Sequence, residues 1–286
     1  MTTLTPSPGP VVDSPRETRM TTRQQTHRAP SAKRVFAGRA IVLVFAIGQI
    51  VSTVVFDLWS PTELQSGVQF SPLVPPGPMF AIWGVIIAAS VLWAILQIRP
   101  SVRTSPLRDR LVVPLSCVYA GFALWLSAAA LGQSFPLTLV VFVFIFTAHF
   151  VAWRRITAAR DEIATWKRVD RVVLYLSQGL YAGWTSMAFF VNIATVLQAA
   201  GAPIEGVWGT TWQLLVIAAA AGVAVLFVVI TAGSAWFAAA ACYALIGAGI
   251  SSSAGGFTAL AIALGAGVAV VIGATIVLRV KRHHTP

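Results

Sequence analysis

The chain has 286 residues, 57% of them hydrophobic and only 10% charged, with a mean hydropathy of +0.80 and a formal net charge of +11. A water-soluble domain carries about 25% charged residues, so this chain cannot cover a water-facing surface and is expected to be an integral membrane protein. Its two cysteines, Cys117 and Cys242, fall within apolar runs and suggest small packing residues rather than a disulfide framework.

Residues 1–38 are rich in Thr, Pro, Ser and Arg and read as a disordered cytosolic tail. They lack the apolar core of a cleaved signal peptide. Eight apolar runs follow, at about 40–58, 77–98, 111–132, 136–153, 172–199, 208–231, 235–250 and 256–278. Each is near the roughly 20 residues that cross about 30 Å of hydrocarbon, so the expected fold is an all-α polytopic helix bundle. The last two breaks carry no charge and rest on the small residues Thr231 to Ser234 and Ser251 to Gly256.

All twenty Lys and Arg lie in four segments: up to Arg39, Arg99 to Arg110, Arg154 to Arg171, and from Arg279 onward. The intervening loops 59–76, 133–135 and 200–207 hold none of them, only Glu63 and Glu205. By the positive-inside rule, eight spans place every cation and both termini in the cytosol, whereas seven would leave Arg279, Lys281 and Arg282 outside. The basic excess is then expected to face anionic lipid at the cytosolic leaflet and does not indicate nucleic acid.

The approach to the second span, Ser71 to Ser90, is SPLVPPGPMFAIWGVIIAAS. Proline lacks an N–H and is tolerated in the first helical turn. Pro75 and Pro76 therefore read as rigid approach residues, with Gly77 starting the span and Pro78 in its first turn. Phe80, Trp83 and Ile87 are three and four apart and share a helix face. In the fifth span, YAGWTSMAFFVN places Tyr181, Trp184, Ala188 and Asn192 along one stripe. A buried amide is costly unless paired, so Asn192 is expected to face the bundle. At 1.5 Å per residue, Trp83 lies roughly 9 Å and Asn192 roughly 12 Å below the outer mouth, within reach of one cavity.

PPGPMFAIW and the Tyr181-Trp184-Ala188-Asn192 pattern together resemble the tryptophan-rich sensory protein (TspO, translocator protein) family, in its longer bacterial form. The resemblance covers about 40–200. It implies a five-helix membrane domain over 39–200, with a three-helix extension at 201–280 and a cytosolic tail at 281–286. It also implies ligand binding by Pro75, Pro76, Phe80, Trp83, Tyr181, Trp184, Ala188 and Asn192, with a porphyrin or haem as the family's kind of ligand. The sequence departs from the five-helix pattern in three places. Phe80 and Trp83 are three apart rather than four, Ser71-Pro72-Leu73 replaces a Lys-Pro-x-Trp, and Phe122 precedes Trp125 where the family has an Asn.

Other residues suggest lesser roles. His149 is a lone candidate for a haem iron, and a lone histidine more often only makes hydrogen bonds. Trp59, Trp208, Trp212, Trp153 and Trp166 suit an interfacial aromatic belt. Gly265, Ala269 and Gly273 form a small-residue face suited to packing between helices or between copies of the chain. Asp57 ends the first span at the outer boundary. The spans contain no paired carboxylates, phosphate loop, metal-ligand cluster or nucleophile triad, so nothing in the sequence points to an enzyme. The expected function is a membrane sensor or binding protein for a small apolar or amphipathic ligand. The alternative is a transporter of a small neutral or amphipathic solute.

Overall fold

The computed structural model describes residues 32–59, 70–130 and 136–283. Most of the expected N-terminal tail, Glu63 with its loop, residues 131–135 and the last three residues lie outside the described residues. Among the described residues there are nine α-helices and no strand. They are α1 (Ala32–Trp59), α2 (Ile82–Gln97), α3 (Pro106–Ala130), α4 (Leu137–Ala158), α5 (Arg160–Ala164), α6 (Arg168–Ala199), α7 (Gly206–Ile230), α8 (Ala235–Ala254) and α9 (Thr258–His283). Eight are long and apolar enough to cross a membrane, in the places the sequence predicts, and α5 is a single short turn. Backbone groups cannot be left unpaired in hydrocarbon, which is why each span is helical throughout.

The longest helix, α6, is the axis of the bundle and packs against α2, α4, α7 and α8. Its approach to α8 depends on Gly179 and Gly183, four residues apart on one face. A Cβ added at Gly183 would lie 2.4 Å from the Phe237 carbonyl oxygen, and one at Gly179 would lie 2.6 Å from Trp236 Cβ. The Gly265, Ala269 and Gly273 stripe lies on the exposed side of α9, so it does not pack between helices of this bundle and is open to a second copy of the chain. An added Cβ at Gly265 or Gly273 meets nothing within 4 Å.

At the basic end of the bundle the arginines do more than face lipid. Arg39 is buried on α1. Its Nε and Nη2 donate to Asp109 at 2.9 and 2.7 Å, and its Nη1 donates to the Gln97 and Val102 carbonyls at 3.1 and 2.8 Å. α1 begins eight residues before the apolar run, and Arg39, immediately before that run, is held within the helix against the α2–α3 turn. Arg99 and the buried Arg108 converge on Asp170 of α6, at 2.5 and 2.9 Å. The Arg108 guanidinium also lies 4.0 Å from the Trp166 ring centroid and 5.1 Å from that of Trp93. Pro114, inside α3, cannot donate to the Arg110 carbonyl one turn earlier. Arg155 of α4 donates to that carbonyl instead and ties the two helices together.

These partners correct two expectations. Arg39 and Arg108 are internal struts, because their charges are met by carboxylates of the chain, half-buried Asp109 and buried Asp170, rather than by lipid. Of the proposed belt, Trp153 and Trp212 are buried and hydrogen-bonded to the Gln178 and Pro203 carbonyls, and Trp166 stacks on Trp93. Trp208 remains exposed, as a belt residue should be.

Replacing Gly183 with Ala forces α6 and α8 apart, and overpacking of this kind costs about 1–3 kcal/mol. Thermal unfolding in detergent is expected to show a lowered Tm for Gly183→Ala and an unchanged Tm for Gly265→Ala.

Candidate functional site

The opposite end of the bundle is closed by the proline segment. Leu73, Val74 and Pro75 are buried, and Pro76 caps a 3-10 turn over Gly77–Ala81 with Pro78 in its first turn. The segment is tied to the bundle at three points. Ser252 Oγ donates to the Pro72 carbonyl at 2.7 Å, Tyr243 Oη to that of Met79 at 3.2 Å, and Gln198 Nε2 to that of Phe70 at 2.6 Å. Gly247 of α8 makes room for it, since a Cβ there would lie 2.8 Å from Pro75 Cβ and 2.7 Å from Met79 Sδ. The proline segment, tied to α6 and α8, forms a lid.

Beneath the lid is an aromatic cluster centred on Trp83. Its ring centroid lies 4.7 Å from Phe122, 5.9 Å from Trp125, 5.6 Å from Tyr181 and 6.3 Å from Trp184. Phe80 meets Trp184 edge-on at 5.6 Å, and Tyr243 lies 6.1 Å from Trp184 on its other side. Each such pair contributes about 0.5–1.5 kcal/mol beyond its area, so the cluster is firmly built. Both indole nitrogens at its heart, Trp83 Nε1 and Trp184 Nε1, are buried and find no acceptor among the described residues.

A polar floor lies below. Tyr181 Oη donates to Gln49 Oε1 at 2.8 Å, and Gln178 Nε2 donates to Tyr119 Oη at 3.2 Å. Tyr119 and Tyr181 stack with centroids 5.9 Å apart. His149 lies against Tyr181 at 5.1 Å, with both ring nitrogens unpartnered. A haem iron needs an axial nitrogen that faces space for the macrocycle. His149 is only 1% exposed and has the Tyr181 ring against it, so the residues present do not fit haem ligation there. Among the described residues no group of three or more His, Cys, Asp or Glu could hold a metal ion.

The structure thus brings Phe80, Trp83, Tyr181 and Trp184 into one cluster, with Pro75 and Pro76 in the lid above it. Ala188 is half-buried at the edge of the core. Asn192 is also half-buried, and its Nδ2 donates to the Ala188 carbonyl of its own helix at 3.3 Å. Neither makes a ring contact with the cluster. Several contributors were not singled out by the sequence. Gln49 is the one side-chain amide in the first apolar run, and that alone marks it. Tyr119, Phe122 and Trp125 are three apart in succession and so share a helical face. Tyr243 carries no local signal, because only the fold brings α8 to the lid.

Next to the cluster, α6 to α9 and Leu73 enclose an apolar slot of about 30 Å³, walled in part by Met187 and Phe190. That is about the volume of one water, whereas ligand pockets typically measure about 300–1,000 Å³. Any larger ligand that uses the aromatic faces must part them, and the lid is the element above them.

A family model described as TSPO-like protein matches residues 34–278, from the start of α1 through most of α9. No curated protein and no solved structure gives a significant match.

Proposed function

This chain belongs to the TSPO-like protein family, and on that premise we propose that it is a membrane binding or sensor protein for a small amphipathic ligand with a flat apolar face, a class that includes tetrapyrroles. One observation carries the reading: the Trp83 and Trp184 N–H groups are buried, adjacent and unpartnered inside an aromatic cluster. An unpaired buried donor costs about 1–3 kcal/mol, and buried indole nitrogens usually have an acceptor. A ligand that offers a π face to the rings and an acceptor edge to the two donors relieves that cost. Metal-free porphyrins have both features. The ligand enters by displacing the Phe70–Met79 lid, whose three hydrogen bonds to α6 and α8 are broken and remade with each event.

The orientation follows from charge. All twenty cationic residues belong to segments that an eight-span path puts on one side, and that side is the cytosol. The lid then faces outward, and the ligand reaches the cluster from outside or from the outer leaflet of the cell membrane.

Trp83→Phe and Trp184→Phe keep an aromatic ring and remove the donor. Each is expected to weaken porphyrin binding about tenfold, the equivalent of one charge-assisted hydrogen bond, as read by quenching of the remaining tryptophans in detergent. Trp93→Phe, outside the cluster, is expected to bind like the parent. Equal binding by all three variants would overturn the site, and solute flux through proteoliposomes would favour the transporter alternative.

Single cysteines at Ala200 and Thr104, in a chain lacking Cys117 and Cys242, test the orientation. An impermeant thiol reagent on intact cells is expected to label the first and spare the second. The reverse pattern would invert the topology.

A further inference from the structure

The basic end of the bundle holds a second site, distinct from the Trp83 cluster. Where α7 ends and α8 begins, a pocket of about 580 Å³ opens between that turn, α5, the start of α6 and the end of α9. Three arginines line it, Arg160, Arg171 and Arg279, and no acidic side chain does. Arg171 and Arg279 contrast with the neighbouring struts, where Arg39, Arg99 and Arg108 all meet carboxylates. Among the described residues, neither Arg171 nor Arg279 pairs with a carboxylate. Arg279 Nε donates to the Gly233 carbonyl at 2.9 Å, and Arg171 Nη1 donates weakly to that of Ala164 at 3.4 Å. A guanidinium has five N–H donors, so both keep donors for a ligand.

The rest of the wall suits the same chemistry. The first residues of the 20-residue helix α8, Ala235 and Trp236, line the pocket behind the N-cap Ser234. A helix N-terminus carries partial positive charge and favours an anion. Ile163 and Trp236 add apolar surface. Trp236 is partly exposed at the end of its span, the level at which tryptophans meet the headgroup layer.

We propose that this pocket binds a phosphate group, with the arginines and the α8 N-terminus on its oxygens and Ile163 and Trp236 against the organic part that bears it. Two sources have this chemistry, an anionic phospholipid headgroup and a soluble phosphate. The apolar wall and the interfacial Trp236 favour the lipid. Arg171 lies ten residues along α6 from Tyr181, about 15 Å at 1.5 Å per residue, so its substitution tests the pocket apart from the aromatic cluster.

The test uses the purified full-length chain in detergent, with phosphatidylglycerol, phosphatidylcholine and inorganic phosphate as separate probes. Native mass spectrometry counts retained lipid, and calorimetry follows phosphate. Phosphatidylglycerol is expected to be retained about tenfold better than phosphatidylcholine. Removal of one arginine near a headgroup weakens such binding about fivefold, so Arg171→Gln and Arg279→Gln are each expected to do so. Arg110→Gln, also at the basic end but outside the pocket, is expected to leave retention unchanged. Phosphate binding that is lost in the same two variants, without selective lipid retention, would support the pocket and assign it a soluble ligand. Retention and phosphate binding that match the parent in a monodisperse Arg171→Gln/Arg279→Gln double variant would overturn the proposal. So would an equal loss in Arg110→Gln, which would reduce the effect to overall charge.

Discussion

Hydrocarbon offers no water to a polar group, so each polar atom placed inside this bundle must find a partner within the chain. Most of the architecture can be read as the result. Arg39 of α1 reaches Asp109 and the carbonyls of the α2–α3 turn. Asp170 takes both Arg99 and Arg108. The carbonyl left open by Pro114 receives Arg155. Tyr181 donates to Gln49 and Gln178 donates to Tyr119, linking three helices. Among the described residues several buried side-chain atoms still lack a partner, Trp93 Nε1 and both His149 nitrogens included; the Trp83 and Trp184 nitrogens differ in lying side by side within one aromatic cluster, and that pairing is a reason to look for a ligand.

The same constraint gives the last three helices a part in the site. Gly179 and Gly183 let α8 approach α6 closely enough for Gly247 to admit Pro75, and for Tyr243 and Ser252 to take up carbonyls of the proline segment. Those carbonyls have few alternatives, since prolines supply no donors of their own. The lid makes few hydrogen bonds of its own, Val74 N–H to the Ser71 carbonyl and Met79 N–H to that of Pro76, and is held to the bundle by residues from α6 and α8. That arrangement favours an element that can release and return as a unit. The family match to residues 34–278 runs across all of these parts.

Much of this was legible in the sequence, for physical reasons that differ by feature. The eight spans are visible because hydrocarbon thickness sets a length and charge is excluded from it. Pro76 and Pro78 mark the start of the second span because proline is best tolerated just before and within a helix's first turn. Phe80, Trp83, Tyr181 and Trp184 were recoverable as two motifs, although nothing local says that the motifs touch. Asn192 illustrates the limit of periodicity. Its spacing from Trp184 sets a stripe, yet its amide bonds back to its own helix, an option that spacing cannot weigh. The Gly265 stripe and the Arg39 and Arg108 struts illustrate the same point from opposite sides. Small residues and cations look alike in sequence whether they face lipid or a neighbour, and only the partner helix decides. Gly247 and Tyr243 gave no signal because their role exists only once α8 lies beneath the proline segment.

The central claim is that two indole N–H groups await an acceptor from a ligand. It is tested most directly by ¹H–¹⁵N spectra of the tryptophan indoles, assigned by single Trp→Phe substitutions, with and without a metal-free porphyrin. The account predicts selective downfield shifts of the Trp83 and Trp184 N–H signals, while Trp153, already bonded to the Gln178 carbonyl, and Trp93 stay in place. Unmoved Trp83 and Trp184 signals at a saturating porphyrin concentration, or equal shifts of all four, would contradict it.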